Sequence, residues 1–110
     1  MIENELIGDR MVIRLRGRVD IASNEMLASE FENLVKANPG SHFTIDLSNV
    51  EYISSSGLGA LVRLKRELAI NSKELSLFGL ASSVAKVFEV SGMKEHFHIF
   101  ETEKEALAYP

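Results

Sequence analysis

Phe43-Thr44-Ile45-Asp46-Leu47-Ser48-Asn49-Val50-Glu51-Tyr52-Ile53-Ser54-Ser55-Ser56-Gly57-Leu58-Gly59-Ala60-Leu61 changes its period part-way along. Over 43–47 apolar and polar residues alternate, the two-residue repeat of a strand with one buried face. From about Ser56 the apolar spacing becomes helical. Leu58, Leu61, Val62, Leu68 and Ala69 fall on one side, with Arg63, Arg66 and Glu67 on the other, which predicts a helix over 56–70. Between them, 48–54 reads as a connection, and the triple serine lies at the end of it. A strand feeding a helix through a short turn is the unit of an α/β sheet, so the rest of the chain is read for more of the same.

Downstream, 73–78 is predicted as a strand closed by Gly79. Ser82 or Ser83 is expected to cap a helix carrying Val84, Val87 and Phe88, ended by Gly92. A short strand follows over 97–100. Thr102 and Glu105 have capping-box spacing for a last helix ending near Tyr109. Upstream, residues 2–7 and 11–16 read as two strands around a Gly8-Asp9 turn with glycine at its first central position. Met11, Ile13 and Leu15 share one face of the second strand, and Gly17 ends it. A helix capped by Ser23 or Asn24 carries Leu27, Phe31, Leu34 and Val35 and stops at Asn38-Pro39-Gly40. The expected order is β-β-α-β-α-β-α-β-α. It gives a mixed sheet of four or five strands, a hairpin first and then parallel βαβ units, with four helices mainly on one face.

The sequence has 110 residues, 45% of them apolar and 25% charged, the balance of one globular domain spanning 1–110. It contains no cysteine, which removes disulfides, thiolate metal sites and cysteine nucleophiles. A net charge of -4 argues against a nucleic-acid partner. The start, Met1-Ile2-Glu3-Asn4-Glu5, lacks the basic and apolar runs of a signal peptide, and no apolar stretch is long enough to span a membrane. A cytoplasmic monomer is expected.

The chemistry is expected where Ser54-Ser55-Ser56-Gly57-Leu58-Gly59 leads from strand to helix. Ligands and partners of α/β sheets meet the C-terminal ends of the strands. A helix N-terminus there offers free N–H groups and the positive end of the dipole, worth about 0.3–1 kcal/mol to an anion at an exposed position. The plainest use of such serines is as helix caps, with the glycines allowing close packing. The other use is as an addressable switch, because a phosphate is tolerated there without unfolding the helix.

Residues 45–61 resemble the signature of the STAS family, and specifically of its anti-sigma factor antagonists. Gly17-Arg18-Val19-Asp20 resembles the family's Gly-acidic-aliphatic-Asp turn, and the order of elements is similar over roughly residues 5–108. The resemblance implies a protein that binds an anti-sigma factor with ATP-dependent serine kinase activity. Binding frees the sigma factor, phosphorylation ends the binding, and a metal-dependent phosphatase restores it. The family's phosphorylated serine stands two residues before the first glycine, which is Ser55 here, ahead of Ser54 and Ser56. Ser54 occupies the position where the family commonly has Asp, so a charge beside the acceptor is missing. By the same resemblance Asp20, Ser54, Ser56, Gly57, Leu58 and Leu61 form the partner-binding face. A STAS subunit without a phosphoacceptor, as in lipid-transport or stress-signalling assemblies, is the alternative reading. The serine at position 55 speaks against it.

Other signals are weaker. Gly57-Leu58-Gly59-Ala60-Leu61-Val62 lacks the third glycine of a dinucleotide fingerprint, and no Walker A motif occurs. Ile53-Ser54-Ser55-Ser56-Gly57 has isoleucine in place of the first glycine of a nucleophile elbow. His42, His96 and His98 supply no base with an orienting acid, so no enzyme is expected. His96 and His98 alternate on a predicted strand but lack a third metal ligand, so neither metal nor cofactor is expected. Arg10, Arg14, Arg16 and Arg18 are expected to form a solvated basic stripe.

Overall fold

The computed structural model describes residues 2–110. Five strands form one sheet in the order β1 (Ile2–Ile7), β2 (Arg10–Val19), β3 (His42–Ile53), β4 (Leu75–Phe78), β5 (His98–Phe100). β1 and β2 are the antiparallel hairpin, and every later pairing is parallel. The helices are α1 (Ile21–Ala37), α2 (Leu58–Ile70), α3 (Ser82–Val90) and α4 (Glu103–Leu107), with a 3-10 turn at Lys94–His96. The hairpin turn holds Gly8 at a φ of +64°, which glycine adopts without steric cost.

Side-chain alternation sorts the two sheet faces. Ile13, Leu15, Ile45, Leu47, Leu75 and Leu77 point into a core closed by Leu27, Phe31, Leu61, Leu64, Leu68, Val84 and Phe88. That core therefore rests on α1, α2 and α3. α4 lies on the opposite face, where Ser76 Oγ donates to the Ala106 carbonyl at 3.0 Å. Four helices mainly on one face is thus the arrangement found, with α4 the exception. The α2 stripe differs in detail from its expected form. Leu64 is buried, Val62 is half-buried and Ala69 is exposed.

Both central strands outrun their predicted ends. β2 passes through Gly17, at a φ of +90°, and β3 runs on through Ser48, Asn49 and Glu51 to Ile53. The pairing register shifts between Arg14 and Arg16 and again between Gly17 and Arg18. These bulges absorb extra residues while the ladder continues. Gly17 therefore does not end the strand, and the polar residues at 48–51 belong to β3, which carries the extra residues of both bulges, and not to a loop. β4 and β5 are shorter than expected.

Two caps also differ. Asp20, not Ser23 or Asn24, is the N-cap of α1. It accepts from Ser23 N at 3.3 Å, while Ser23 Oγ accepts from Asp20 N at 3.0 Å. This reciprocal pair satisfies two otherwise orphaned N–H groups. α3 starts after Ala81 with no side-chain cap, so neither Ser82 nor Ser83 caps it. Ser83 Oγ instead donates to the Glu51 carbonyl at 3.3 Å, covering the end of β3. The capping box at Thr102 and Glu105 is present as expected.

The arginines of β2 form a solvated stripe only at Arg16 and Arg18, which are exposed, while Arg10 and Arg14 are drawn into the fold. Arg10 is buried and donates to Thr44 Oγ1 at 3.0 Å and to the Tyr109 carbonyl. Arg14 sits among Glu103 at 2.7 Å, Asp46 at 2.9 Å and Glu5 at 3.0 Å. Those three carboxylates raise its pKa further above the ordinary arginine value. Arg16 faces Glu3 at 3.5 Å, and the Arg18 guanidinium lies 4.2 Å from the Tyr52 ring centroid, a cation–π distance. His96 and His98 do not alternate on one strand either. His96 is in the 3-10 turn, and His98 on β5 hydrogen-bonds the Tyr109 hydroxyl at 2.8 Å.

Candidate functional site

The lengthened β2 and β3 bring Asp20 and the serine turn together at one rim of the sheet. Ser54 N donates to the Val19 carbonyl at 2.9 Å, so the last residue of β2 is tied to the first residue after β3. Asp20 follows Val19 directly. Asp20 and Ser54 then line the same shallow hollow with Ile21, Ala22 and Tyr52.

The three serines have distinct roles. The Ser54 hydroxyl accepts from Gly57 N at 2.9 Å, and its carbonyl accepts from Leu58 N at 3.2 Å. Ser54 thus does the local turn work that capping serines do. Ser56 is exposed, and its carbonyl accepts from Gly59 N at 3.0 Å. Ser55 is exposed, and its side chain takes no part in the bonds that hold this turn. A further tie comes from α1, where Asn24 Oδ1 accepts from Ala60 N at 2.9 Å. α1 thereby caps the first turn of α2.

Gly57 is required for space. Its φ of -63° suits any residue, but a Cβ there would stand 2.5 Å from the Val19 carbonyl oxygen. The close approach lets the start of α2 lie directly against the end of β2. Leu58 and Leu61, at 3% and 1% exposure, are core residues. They correct the expected docking face: both leucines and Gly57 hold the turn from below, while Asp20, Ser54, Ser55 and Ser56 reach its surface. Sequence reasoning passed over two residues of this rim. Ile21 is 74% exposed and Tyr52 is 39% exposed. The signal for Ile21 was its place beside a capping aspartate, outside the Leu27-Phe31-Val35 stripe.

On the other flank of Ser55 a second depression of about 490 Å³ runs along α2, bordered by Asn24, Gly59, Val62, Arg63 and Arg66. Among the described residues no group of three His, Asp or Glu side chains is arranged to hold a metal ion. No helix among them is long and apolar enough to cross a membrane. The geometry therefore offers an exposed hydroxyl on a hydrogen-bonded turn, a neighbouring carboxylate and two hollows beside the turn.

Residues 1–106 match the STAS domain family model. The chain belongs to the STAS family. Over 57 residues, 52% of this chain and 53% of the relative, it is 39% identical to an anti-sigma-B factor antagonist of Staphylococcus aureus. The chain thus spans about half the length of the curated relatives it matches. Among solved structures, it resembles an anti-sigma-factor antagonist (STAS) domain protein from Planctomyces limnophilus, with a TM-score of 0.87 and 23% identity over 97% of this chain and 95% of that one. It also resembles the Bacillus cell fate determinant SpoIIAA in its phosphorylated form, with a TM-score of 0.73 and 23% identity over 98% and 97% of the two chains. The unphosphorylated form of the anti-sigma factor antagonist SpoIIAA gives a TM-score of 0.75 at 21% identity, over 98% and 96%. At such identities the structural likeness concerns the STAS fold.

Proposed function

We propose that this protein is an anti-sigma factor antagonist whose binding is switched by phosphorylation of Ser55. In its unphosphorylated form it binds an anti-sigma factor that is also a serine kinase, and the sigma factor is released. The kinase then transfers the γ-phosphoryl group of ATP to Ser55 Oγ, ADP leaves, and the complex dissociates. A metal-dependent serine phosphatase reverses the modification. The chain acts as one STAS domain over 1–110, a cytoplasmic monomer with no catalytic residues of its own. The Staphylococcus relative and the existence of SpoIIAA in two phosphorylation states both favour this reading.

The observation that carries it is the exposed hydroxyl of Ser55, one turn ahead of α2 and unused by the bonds around it. A kinase active site reaches such a group without disturbing the fold. Ser54 is already engaged by Gly57 N, which favours Ser55 over it as acceptor. The same exposure speaks against a purely structural STAS subunit, which has no use for a free hydroxyl at a docking rim.

Phosphorylation acts here through local charge and bulk. A dianion placed in a contact patch built for a hydroxyl costs several kcal/mol when buried unpaired. The turn itself has no reason to rearrange, because a helix N-terminus accommodates an anion. Incubation with ATP and the cognate kinase, followed by mass-spectrometric site mapping, tests the assignment. Phosphate is expected on Ser55 alone, and Ser55→Ala abolishes labelling. Phosphate on Ser54 or Ser56 in the wild type overturns it.

A further inference from the structure

The depression on the α2 side of Ser55 carries two guanidinium groups, Arg63 and Arg66, and no carboxylate lines it. That is a local excess of positive charge on a chain whose net charge is -4. The sequence register explains how the groups come together. Ser55, Gly59, Val62 and Arg66 are separated by four, three and four residues, and Arg63 is four beyond Gly59. This spacing places Gly59, Val62, Arg63 and Arg66 along one side of α2, and Ser55, in the turn ahead of the helix, borders the same hollow. Gly59 has no side chain, and the nearest atom to a Cβ built on it is Asn24 Nδ2 at 3.6 Å. Nothing from Gly59 itself therefore stands between Ser55 and the first arginine.

Arg63 is five residues into α2 from Leu58, an axial rise of about 7.5 Å at helical pitch. Helical side chains lean back toward the N-terminus, which brings the Arg63 guanidinium toward Ser55. Its present partner is Glu32 Oε2 on α1, at 3.7 Å, with Arg63 exposed and Glu32 half-buried. Glu32 is held more closely by Lys36, at 2.9 Å. Arg63 can therefore leave Glu32 without stranding it. Arg66 is exposed and makes no ion pair among the described residues.

We propose that this depression is an intramolecular seat for the phosphate carried by Ser55, with Arg63 as its principal partner and Arg66 as its second. The proposal rests on the reading that Ser55 is the acceptor. A planar guanidinium pairs two phosphate oxygens at once, which fixes the orientation of the group as well as its charge. The phosphorylated state then differs from the free hydroxyl in two ways. The rim carries a dianion, and that dianion is drawn along α2 into the Arg63 hollow. A phosphatase has to draw it out again, so the arginines lengthen the life of the phosphorylated state.

The test installs phosphoserine at position 55 during synthesis, without a kinase, and follows its second ionisation by phosphorus NMR. In the full chain that ionisation is expected below its value in a free phosphopeptide of residues 50–60. The Arg63→Gln/Arg66→Gln double variant isolates the arginines from the helix N-terminus and is expected to raise it by about half a pH unit or more. Arg63→Lys, which keeps the charge, recovers part of the shift. Glu32→Gln, which removes the competitor and leaves both arginines in place, holds it low. All these positions are at least partly exposed, so the variants are expected to fold. A double variant titrating identically to wild type overturns the seat and leaves the assignment of Ser55 as acceptor untouched. A kinase that labels another residue removes the acceptor reading, whatever the phosphorus signal does.

Discussion

Ser76 and Ser55 are the same residue in opposite circumstances. Ser76, on β4, is fully buried between Thr44 Oγ1 at 2.8 Å and the Ala106 carbonyl at 3.0 Å. With Arg10 donating to Thr44 at 3.0 Å, it forms a closed polar chain under α4. Ser55, at the rim, is exposed and outside the hydrogen bonds of its turn. In the first region every polar group is committed to holding a short helix on the sheet. In the second the backbone is committed and the side chain is free. Polar residues that specify the fold are therefore distinguished from those open to a partner by unused hydrogen-bonding capacity, and not by residue type.

The contrast breaks most sharply if Ser55 proves inert. Ser55→Asp is expected to weaken binding of the anti-sigma factor by about a hundredfold, near 3 kcal/mol. Ser55→Ala is expected to bind as wild type does, and both should melt as wild type does. Titration calorimetry with the purified partner measures the difference. Equal affinity for wild type, the aspartate variant and authentic phosphoprotein would return the chain to the structural-subunit reading.

Ser76→Ala is the mirror experiment. It removes two buried hydrogen bonds, leaving the Thr44 hydroxyl with Arg10 alone and the Ala106 carbonyl with Tyr109 N alone, at a cost of about 1–3 kcal/mol in stability. Urea unfolding is the measurement, and Ser55→Ala is its control. Equal midpoints for the two alanine variants would erase the distinction.

Asp20 belongs to both worlds, as the cap of α1 and as a surface group beside Ser54. Asp20→Ala is expected to cost about 1 kcal/mol of stability through loss of the cap. Asp20→Asn keeps most of that stability because asparagine also caps. If the carboxylate serves the partner, Asn weakens binding while the melting curve hardly moves.

The smallest effect concerns Asp46, in the buried region. Burial pushes its pKa up, but hydrogen bonds from the Ser48 hydroxyl and backbone, with Arg14 beside it, more than reverse that, and the net shift is downward. A carboxyl whose folded pKa is depressed adds stability that is complete above its unfolded value, near pH 4, and is lost as the pH falls through the folded value. Stability measured by urea from pH 6 down to 2 should fall less steeply in Asp46→Asn than in wild type. An identical slope removes Asp46 from the acid response.

The alternation over 43–47 and the helical stripe after Gly57 were enough to place strand, turn and helix, because apolar periodicity reports burial directly. The same signal ended β3 too early. Ser48, Asn49 and Glu51 look like loop residues, and only the pairing of Asn49, Val50, Tyr52 and Ile53 with β2, across two bulges in β3, keeps this stretch in the sheet. Asp20 as cap was hidden for a related reason: Ser23 and Asn24 are equally good caps, and the choice depends on where β2 stops. The polar chain under α4 left no trace in the pattern. Thr44 and Ser76 read as outward-facing positions, and nothing local says that a distant helix covers them. The exposed serine turn was legible because its residues are neighbours in the chain. The hollow along α2 was not, since it depends on which arginines border it.

The sheet order repeats the chain order, β1 to β5, with no strand inserted between earlier neighbours. During folding, each strand can therefore settle beside the one made just before it. The loops that must close are those spanning a single helix, and loops of that size are among the least costly a parallel sheet can have. Parallel pairings are slow to form when they join distant segments, and the delay leaves bare strand edges open to aggregation. In this topology β1 stays at one edge throughout, the growing edge is always the newest strand, and the next segment to arrive is the one that covers it.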